Sequence, residues 1–327
     1  MTVETTSTTQ RAPERGTRHL IHRPTSWEHY LLDAPSSGEE HFVLAGSLPA
    51  GHPPSDGGPV RFHDAGHVIE ELREVGEFVG HRYFGVRGER PGLFSRLALA
   101  LTDVPAWRAA DAPPRLTTYL TARPEPASGR VPHALALGVE VRIGDVACCA
   151  GEAAMVFPAP APHRGRIEFG RRALRAPQTA DEVPDGADRP VDPAEVGRRS
   201  PVGVLLGEPS LSPQGRLTTW VVPRPGRPVP AGAAHGALHG LLLEALRQTS
   251  VLTAVRACGY DADRALVAGW DVRFRGQALP ELPLRCAATP GPVDKDDDGR
   301  PSVPVAVTVT QRQRVVAQAR TRVVQDL

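Results

Sequence analysis

HGALHGLLLEALRQTSVLTAVRACGY (235–260) and HDAGHVIEELREVGEFVGHRYFG (63–85) are the stretches on which the fold turns. Both place apolar residues at helical spacing: Leu238, Leu242 and Leu246 in one, and Val68, Ile69, Leu72, Val75 and Val79 in the other. Side chains three and four apart share one helix face, so each stretch predicts a helix with an apolar side. Gly259 and Gly85 are the expected stops, since glycine tolerates the left-handed backbone that ends a helix. EALRQTS (244–250) also overlays EELREVG (70–76) at an offset of 174 residues. The same offset, without a gap, sets VLLGEP (204–209) on YLLDAP (30–35) and Pro223 on Pro49. Three separated landmarks on one offset predict an internal duplication.

Around the helices the chain reads as strands. LTTYLTARP (116–124), ALALGVEVRIGDVACCAGEAAMVF (134–157), LTTWVVP (217–223), ALVAGWDVRFRG (265–276) and VPVAVTVTQRQRVVAQARTRVV (303–324) alternate or are rich in β-branched residues. A long helix followed by an antiparallel run, twice over, predicts an α+β fold in which a sheet curls round each helix. The expected divisions are a disordered polar N-terminus at 1–16, a first unit at 17–157, a Pro/Arg-rich linker at 158–195 and a second unit at 196–327. PGPVDKDDDGRPS (290–302) reads as a solvated hairpin loop, because its Asp296, Asp297 and Asp298 lack the EF-hand pattern.

The 327 residues suit two domains, and 40% hydrophobic content is enough for two cores. A net charge of +1 and no basic stripe argue against nucleic acid as a partner. Lys295 is the single lysine, so 37 of the 38 basic residues are arginine, a skew of GC-rich bacterial coding. Arginine is also the better fork for phosphate or carboxylate. Cys148, Cys149, Cys258 and Cys286 make no CxxC motif and are read as small buried apolar residues. Cys148 and Cys149, adjacent on a strand, are expected to face opposite sides. No apolar signal core opens the chain and no run reaches a membrane span, so a soluble cytoplasmic protein is expected.

On the first helix Glu70, Arg73 and Glu74 share one face, and Glu244, Arg247 and Gln248 repeat them on the second. A surface Glu–Arg pair at this spacing contributes only a few tenths of a kcal/mol. Charged groups duplicated within apolar flanks point instead to use, since covering them is unfavourable unless they are paired with each other or with ligand. His63, His67, His235 and His239 give one HxxxH spacing per half, placed ahead of the expected helix starts and with no third ligand nearby. No metal and no cofactor is expected.

LLLEALRQTS, with the His-containing Pro/Gly loop before it, resembles the second half of the AfsA-type family of A-factor (γ-butyrolactone) biosynthesis proteins. HRPTSWEHYLLD (22–33), LPAGHP (48–53) and EELREVGEFVGHRYFGV (70–86) resemble that family's first-half landmarks in order, so the likeness runs over about 19–327. The resemblance implies a tandem (double) hotdog fold related to acyl-carrier-protein dehydratases and hotdog thioesterases. It implies transfer of a β-ketoacyl group from an acyl carrier protein (or acyl-CoA) thioester to the hydroxyl of dihydroxyacetone phosphate. By motif, the family's functional residues fall on Glu70, Glu244 and Arg247, with Arg73 the repeat equivalent. Two departures stand out: His235 and Gly236 occupy the place of an Asp-His pair, and Glu74 that of a Gln.

The expected chemistry is a general base with a pKa raised by burial, Glu244 first and Glu70 as its pseudo-symmetric alternative. Arg247 and Arg73, with Gln248 and Glu74 beside them, are expected to bind the phosphate end of the substrate, and His63, His235 and His239 to stand on the flanking loops. Helix N-termini are expected to receive the thioester oxygen. RRALR (171–175), Arg198 and Arg199 are candidate carrier-docking residues. A monomer that mimics a dimer, or a homodimer, is expected, with no membrane partner. The rival readings are a hotdog thioesterase or dehydratase, and a non-catalytic acyl- or lactone-binding regulator.

Overall fold

A computed structural model describes residues 18–22, 36–47, 61–109, 114–125, 131–159, 183–221, 236–276, 278–279 and 282–327. The first half contributes β1 (Arg18–His22), β2 (Glu40–Ser47), α1 (Ala65–Tyr83), β3 (Leu93–Leu101), β4 (Arg115–Pro124), β5 (Ala134–Ile143) and β6 (Val146–Val156). The second contributes β7 (Ser210–Leu211), β8 (Leu217–Val221), α2 (Gly236–Cys258), β9 (Ala265–Phe274), β10 (Leu284–Pro290), β11 (Asp294–Lys295), β12 (Pro301–Gln311) and β13 (Arg314–Gln325). Residues 1–16, YLLDAP, LPAGHP, RRALR, His235 and Pro223 lie outside the described residues.

The described strands form one sheet in the order β1-β2-β4-β5-β6-β3-β9-β13-β12-β10-β8-β7, with β11 added to β12. Read inward from each edge, β2-β4-β5-β6-β3 and β8-β10-β12-β13-β9 have the same connectivity. They meet where β3 and β9 pair antiparallel, Leu97 opposite Val272 and Leu99 opposite Trp270. The duplication inferred from one offset is therefore a pseudo-two-fold tandem hotdog with a continuous sheet.

Each helix lies against its own sheet. α1 starts at Asp64, whose side chain accepts from the Gly66 N–H at 2.8 Å, and buries Val68, Ile69, Leu72, Val75 and Val79. Gly85 (φ 68°) and Gly259 (φ 74°) follow the two helix ends in the left-handed conformation, as expected. α2 packs on β8, β9, β10, β12 and β13, and is covered nearly all round. Two of its buried hydroxyls are taken up by the helix itself: Ser250 and Thr253 donate to the carbonyls of Leu246 and Thr249 one turn back, and Thr321 of β13 donates to Ser250. An apolar stripe thus suffices for α1 but understates α2.

The long runs at 134–157 and 303–324 each resolve into a hairpin, turning at Gly144-Asp145 and at Arg312-Gln313. Strands β1, β2, β3, β7, β10 and β11 are additional to those expected from sequence. LFSRLALAL in β3 lacks β-branched residues, and pairing with β6 and β9 sets it as a strand. Cys148 and Cys149 correct a second expectation. A bulge opposite Val141 and Arg142 sets Ala147, Cys148 and Cys149 against two partners, and both thiols are buried. All four cysteines are free, and burial raises the Cys149 and Cys286 thiols to about 12. In the 290–302 loop the Asp run serves Arg300, which is buried and bonds Asp296 at 3.1 Å and Asp298 at 2.6 Å. No helix among the described residues is long and apolar enough to cross a membrane.

Residues 183–196, from the Pro/Arg-rich stretch, fold back as turns that pack on α2, with Val191 and Val196 buried. The chain then passes Arg198 and a 3-10 turn at Pro201–Gly203 before β7. This crossing strap brings residues far from the helices in sequence onto the polar face of α2.

Candidate active site

Glu244 projects from α2 beneath that strap. Its carboxylate accepts from Arg247 one turn on, Nε at 2.9 Å and Nη2 at 2.9 Å, and from Arg198 of the strap, Nη2 at 2.7 Å and Nε at 3.1 Å. Gln248 donates to the same carboxylate. The Gln248 amide also bonds the strap backbone, accepting from Leu205 N at 2.8 Å and donating to Gly203 O at 2.8 Å. Arg198 reaches Asp64 at the start of α1 at 3.5 Å, so the first half closes one side of the cluster. Arg247 also donates to Val196 O at 3.0 Å. Burial alone would raise the Glu244 carboxyl, but Arg247 and Arg198 outweigh it and leave its pKa lowered. The expectation of a raised pKa here is therefore corrected: two guanidiniums hold this carboxylate ionised.

The repeat-equivalent residues on α1 are arranged differently. Arg73 is buried and bonds Glu70 at 2.8 Å and, through Nη1, Glu77 at 2.9 Å, with Glu74 at 4.0 Å. Only one oxygen of Glu70 is engaged. The other, Oε2, is buried with no hydrogen-bond partner among the described residues and faces α2, 3.9 Å from where a Cβ on Gly240 would lie. Burial raises the Glu70 pKa and Arg73 only partly offsets it, so the basic-carboxylate environment expected of Glu244 is found at Glu70. Glu74 is largely solvent-exposed, whereas its counterpart Gln248 is fully buried.

Beside the Glu244 cluster is a cleft of about 370 Å³. Its polar wall is Arg61, His63 and Asp64 before α1 together with Arg198, Arg199 and Arg247, and its apolar wall is Leu266, Val267 and Trp270 of β9. His63 is buried in this wall, its backbone N–H donating to Trp107 O at 2.8 Å. The other histidines correct the loop reading. His67 lies inside α1, 3.6 Å from Glu71, and His239 lies inside α2, packed against Phe274 with ring centroids 4.6 Å apart. No group of three or more His, Cys, Asp or Glu suited to a metal occurs among the described residues.

Arg198, expected just past the linker as a candidate carrier-docking residue, is instead buried and paired with Glu244. The signal that could have found it is loose: Arg198 and Arg199 precede VLLGEP (204–209) as Arg23 precedes YLLDAP (30–35), though not at the 174-residue offset. Trp270 and Arg61 carried no such signal, because strand pairing and a loop bring them to the cleft.

A curved sheet on a long helix, duplicated, with a helix-borne Glu–Arg couple in each half, defines a tandem hotdog protein. Residues 179–325 match the family described as the A-factor biosynthesis hotdog domain, AfsA. Among solved structures, the chain is similar to the tesB protein of Mycobacterium avium subspecies paratuberculosis (TM-score 0.50, 12% identity, 87% of this chain and 93% of that one). It is also similar to a protein described as an oleoyl thioesterase from Lactobacillus plantarum (TM-score 0.52, 10% identity, 88% and 97%). At such identities the likeness is one of fold. No curated protein sequence matches the chain.

Proposed function

We propose that this protein is an acyltransferase that moves a β-ketoacyl group from a carrier-protein or CoA thioester to a hydroxyl of dihydroxyacetone phosphate, in the making of a butyrolactone-type signal. The observation that carries the reading is the cleft at Arg198 and Arg247. Four guanidinium groups, of Arg61, Arg198, Arg199 and Arg247, line it with the carboxylates of Asp64 and Asp263 and the apolar Leu266, Val267 and Trp270. A phosphorylated acceptor and an acyl chain need that pairing, a planar fork for the dianion and an apolar wall for the hydrocarbon. The match of residues 179–325 to the AfsA family favours the same chemistry.

In this reading Glu70 accepts the proton of the acceptor hydroxyl, which suits its raised pKa and its unpartnered oxygen. The hydroxyl oxygen attacks the thioester carbonyl, a C–O bond forms, the C–S bond breaks, and the proton passes to the leaving thiolate. Glu244 does not act as a base. It holds Arg198 and Arg247 in register for the anion. Incubation of the protein with β-ketoacyl carrier protein and dihydroxyacetone phosphate, followed by mass spectrometry, should give the phosphorylated β-ketoacyl ester. Glu70→Gln should lower kcat by about a hundredfold, the size usual for loss of a general base. Release of free β-keto acid without the ester would favour a thioesterase, and retention of the acyl group without turnover would favour a binding module.

A further inference from the structure

The two couples descend from one duplicated position, yet their charges have diverged. At Glu244 two guanidiniums share one carboxylate, and Asp64 lies 3.5 Å from Arg198. At Glu70 the count is reversed: Arg73 lies within 2.9 Å of both Glu70 and Glu77 and 4.0 Å from Glu74. By the 174-residue offset, Glu74 stands where the second half has Gln248 and Glu77 where it has Val251. Glu77 also lies 3.8 Å from His81. Among the described residues no guanidinium other than Arg73 pairs with Glu70 or Glu77. A dianion approaching Arg73 would meet one guanidinium set among Glu70, Glu77 and Glu74, whereas one approaching Arg198 and Arg247 meets two guanidiniums that share Glu244, beside a cleft that Arg61 and Arg199 also line.

We propose that the duplicated sites have divided their labour: the Glu244 side alone, through Arg198 and Arg247, holds the anionic group of a phosphorylated ligand, and Glu74 and Glu77 bar that group from Arg73. The identity of the ligand as the phosphorylated acceptor rests on the acyl-transfer reading. The one-sidedness rests on the charges. Gln248 and Glu77 are then specificity-determining residues, one bracing the strap that carries Arg198 and the other neutralising Arg73.

Calorimetric titration of the full chain with dihydroxyacetone phosphate, and with unphosphorylated dihydroxyacetone as control, tests this without turnover. The expected result is one equivalent bound per chain for the phosphate ester and none for the control. Arg247→Gln should weaken binding by about ten- to a hundredfold, the worth of a charge-assisted hydrogen bond. Arg198→Lys keeps a cation for Glu244 and so keeps the fold, but loses the fork, and should also weaken binding. Arg73→Gln should leave both affinity and stoichiometry as they are. Two equivalents per chain, a loss on Arg73→Gln equal to that on Arg198→Lys, or no saturable binding would each overturn the assignment. One-site binding without ester formation would leave it standing and sink the acyl-transfer reading instead.

Discussion

Glu70 and Glu244 occupy one position of the duplicated unit, yet their environments push them in opposite directions. A carboxylate with a lowered folded pKa adds stability above its unfolded pKa of about 4.3, and that stability is lost as pH falls through the folded value. Glu244→Gln should therefore lower stability by about 2–3 kcal/mol at neutral pH, since it leaves two guanidiniums without their carboxylate. The gap to the unsubstituted protein should close under acid, as followed by urea unfolding at several pH values. Glu70 has the opposite sign: with its folded pKa raised, stability falls as pH rises through that value. Glu70→Gln should therefore be as stable as the parent or more so at neutral pH, even as it loses activity. The sequence made both glutamates visible but made them look equivalent. The strap, which delivers Arg198 to Glu244, and Glu77, which shares Arg73 with Glu70, separate them.

Along α1 two glycines face the sheet side closely: a Cβ on Gly80 would overlap the Phe157 ring and one on Gly76 would lie 2.8 Å from Met155 Cε. Alanine improves helix propensity by about 1 kcal/mol at either position. At Gly80 the rigid ring cannot yield, so Gly80→Ala should be destabilising by about 1–2 kcal/mol, the size of core overpacking. At Gly76 the flexible methionine end can move, and Gly76→Ala should be near neutral. Thermal unfolding of the two variants side by side checks the contrast. The helices themselves were legible from Val68, Leu72, Val79, Leu242 and Leu246, which follow the period of the helix. Strand β3 was not, because Leu and Ala satisfy either period and only its neighbours β6 and β9 fix it as a strand.

Across the whole molecule, the halves are held by β3–β9 pairing and by a clasp at the chain's end. Asp326 is fully buried and is bonded by Arg108, Nε at 2.9 Å and Nη2 at 2.8 Å, and by Arg61 at 3.3 Å, both from the first half. The Arg108 hydrogen bonds, with Arg61 beside them, hold the Asp326 carboxyl below its usual range. Asp326→Asn should lower stability by about 1.5–3 kcal/mol at neutral pH and by progressively less in acid. Because the clasp joins halves that also share a sheet, calorimetry should still show one unfolding transition. Two separated transitions in the parent protein would contradict a single cooperative body.

The sequence by itself determined the duplication, the two central helices and their stops, and the family likeness, because periodicity, glycine at helix ends and a shared offset are local or linear facts. Tertiary structure alone decided which carboxylate is clamped and which retains an unpartnered oxygen. It also set the cleft between the start of α1 and β9, and the burial of an arginine expected to serve carrier docking. Those depend on groups distant in sequence: a carboxylate's proton affinity is set by the charges folding brings within a few ångströms, and no repeat or spacing records them.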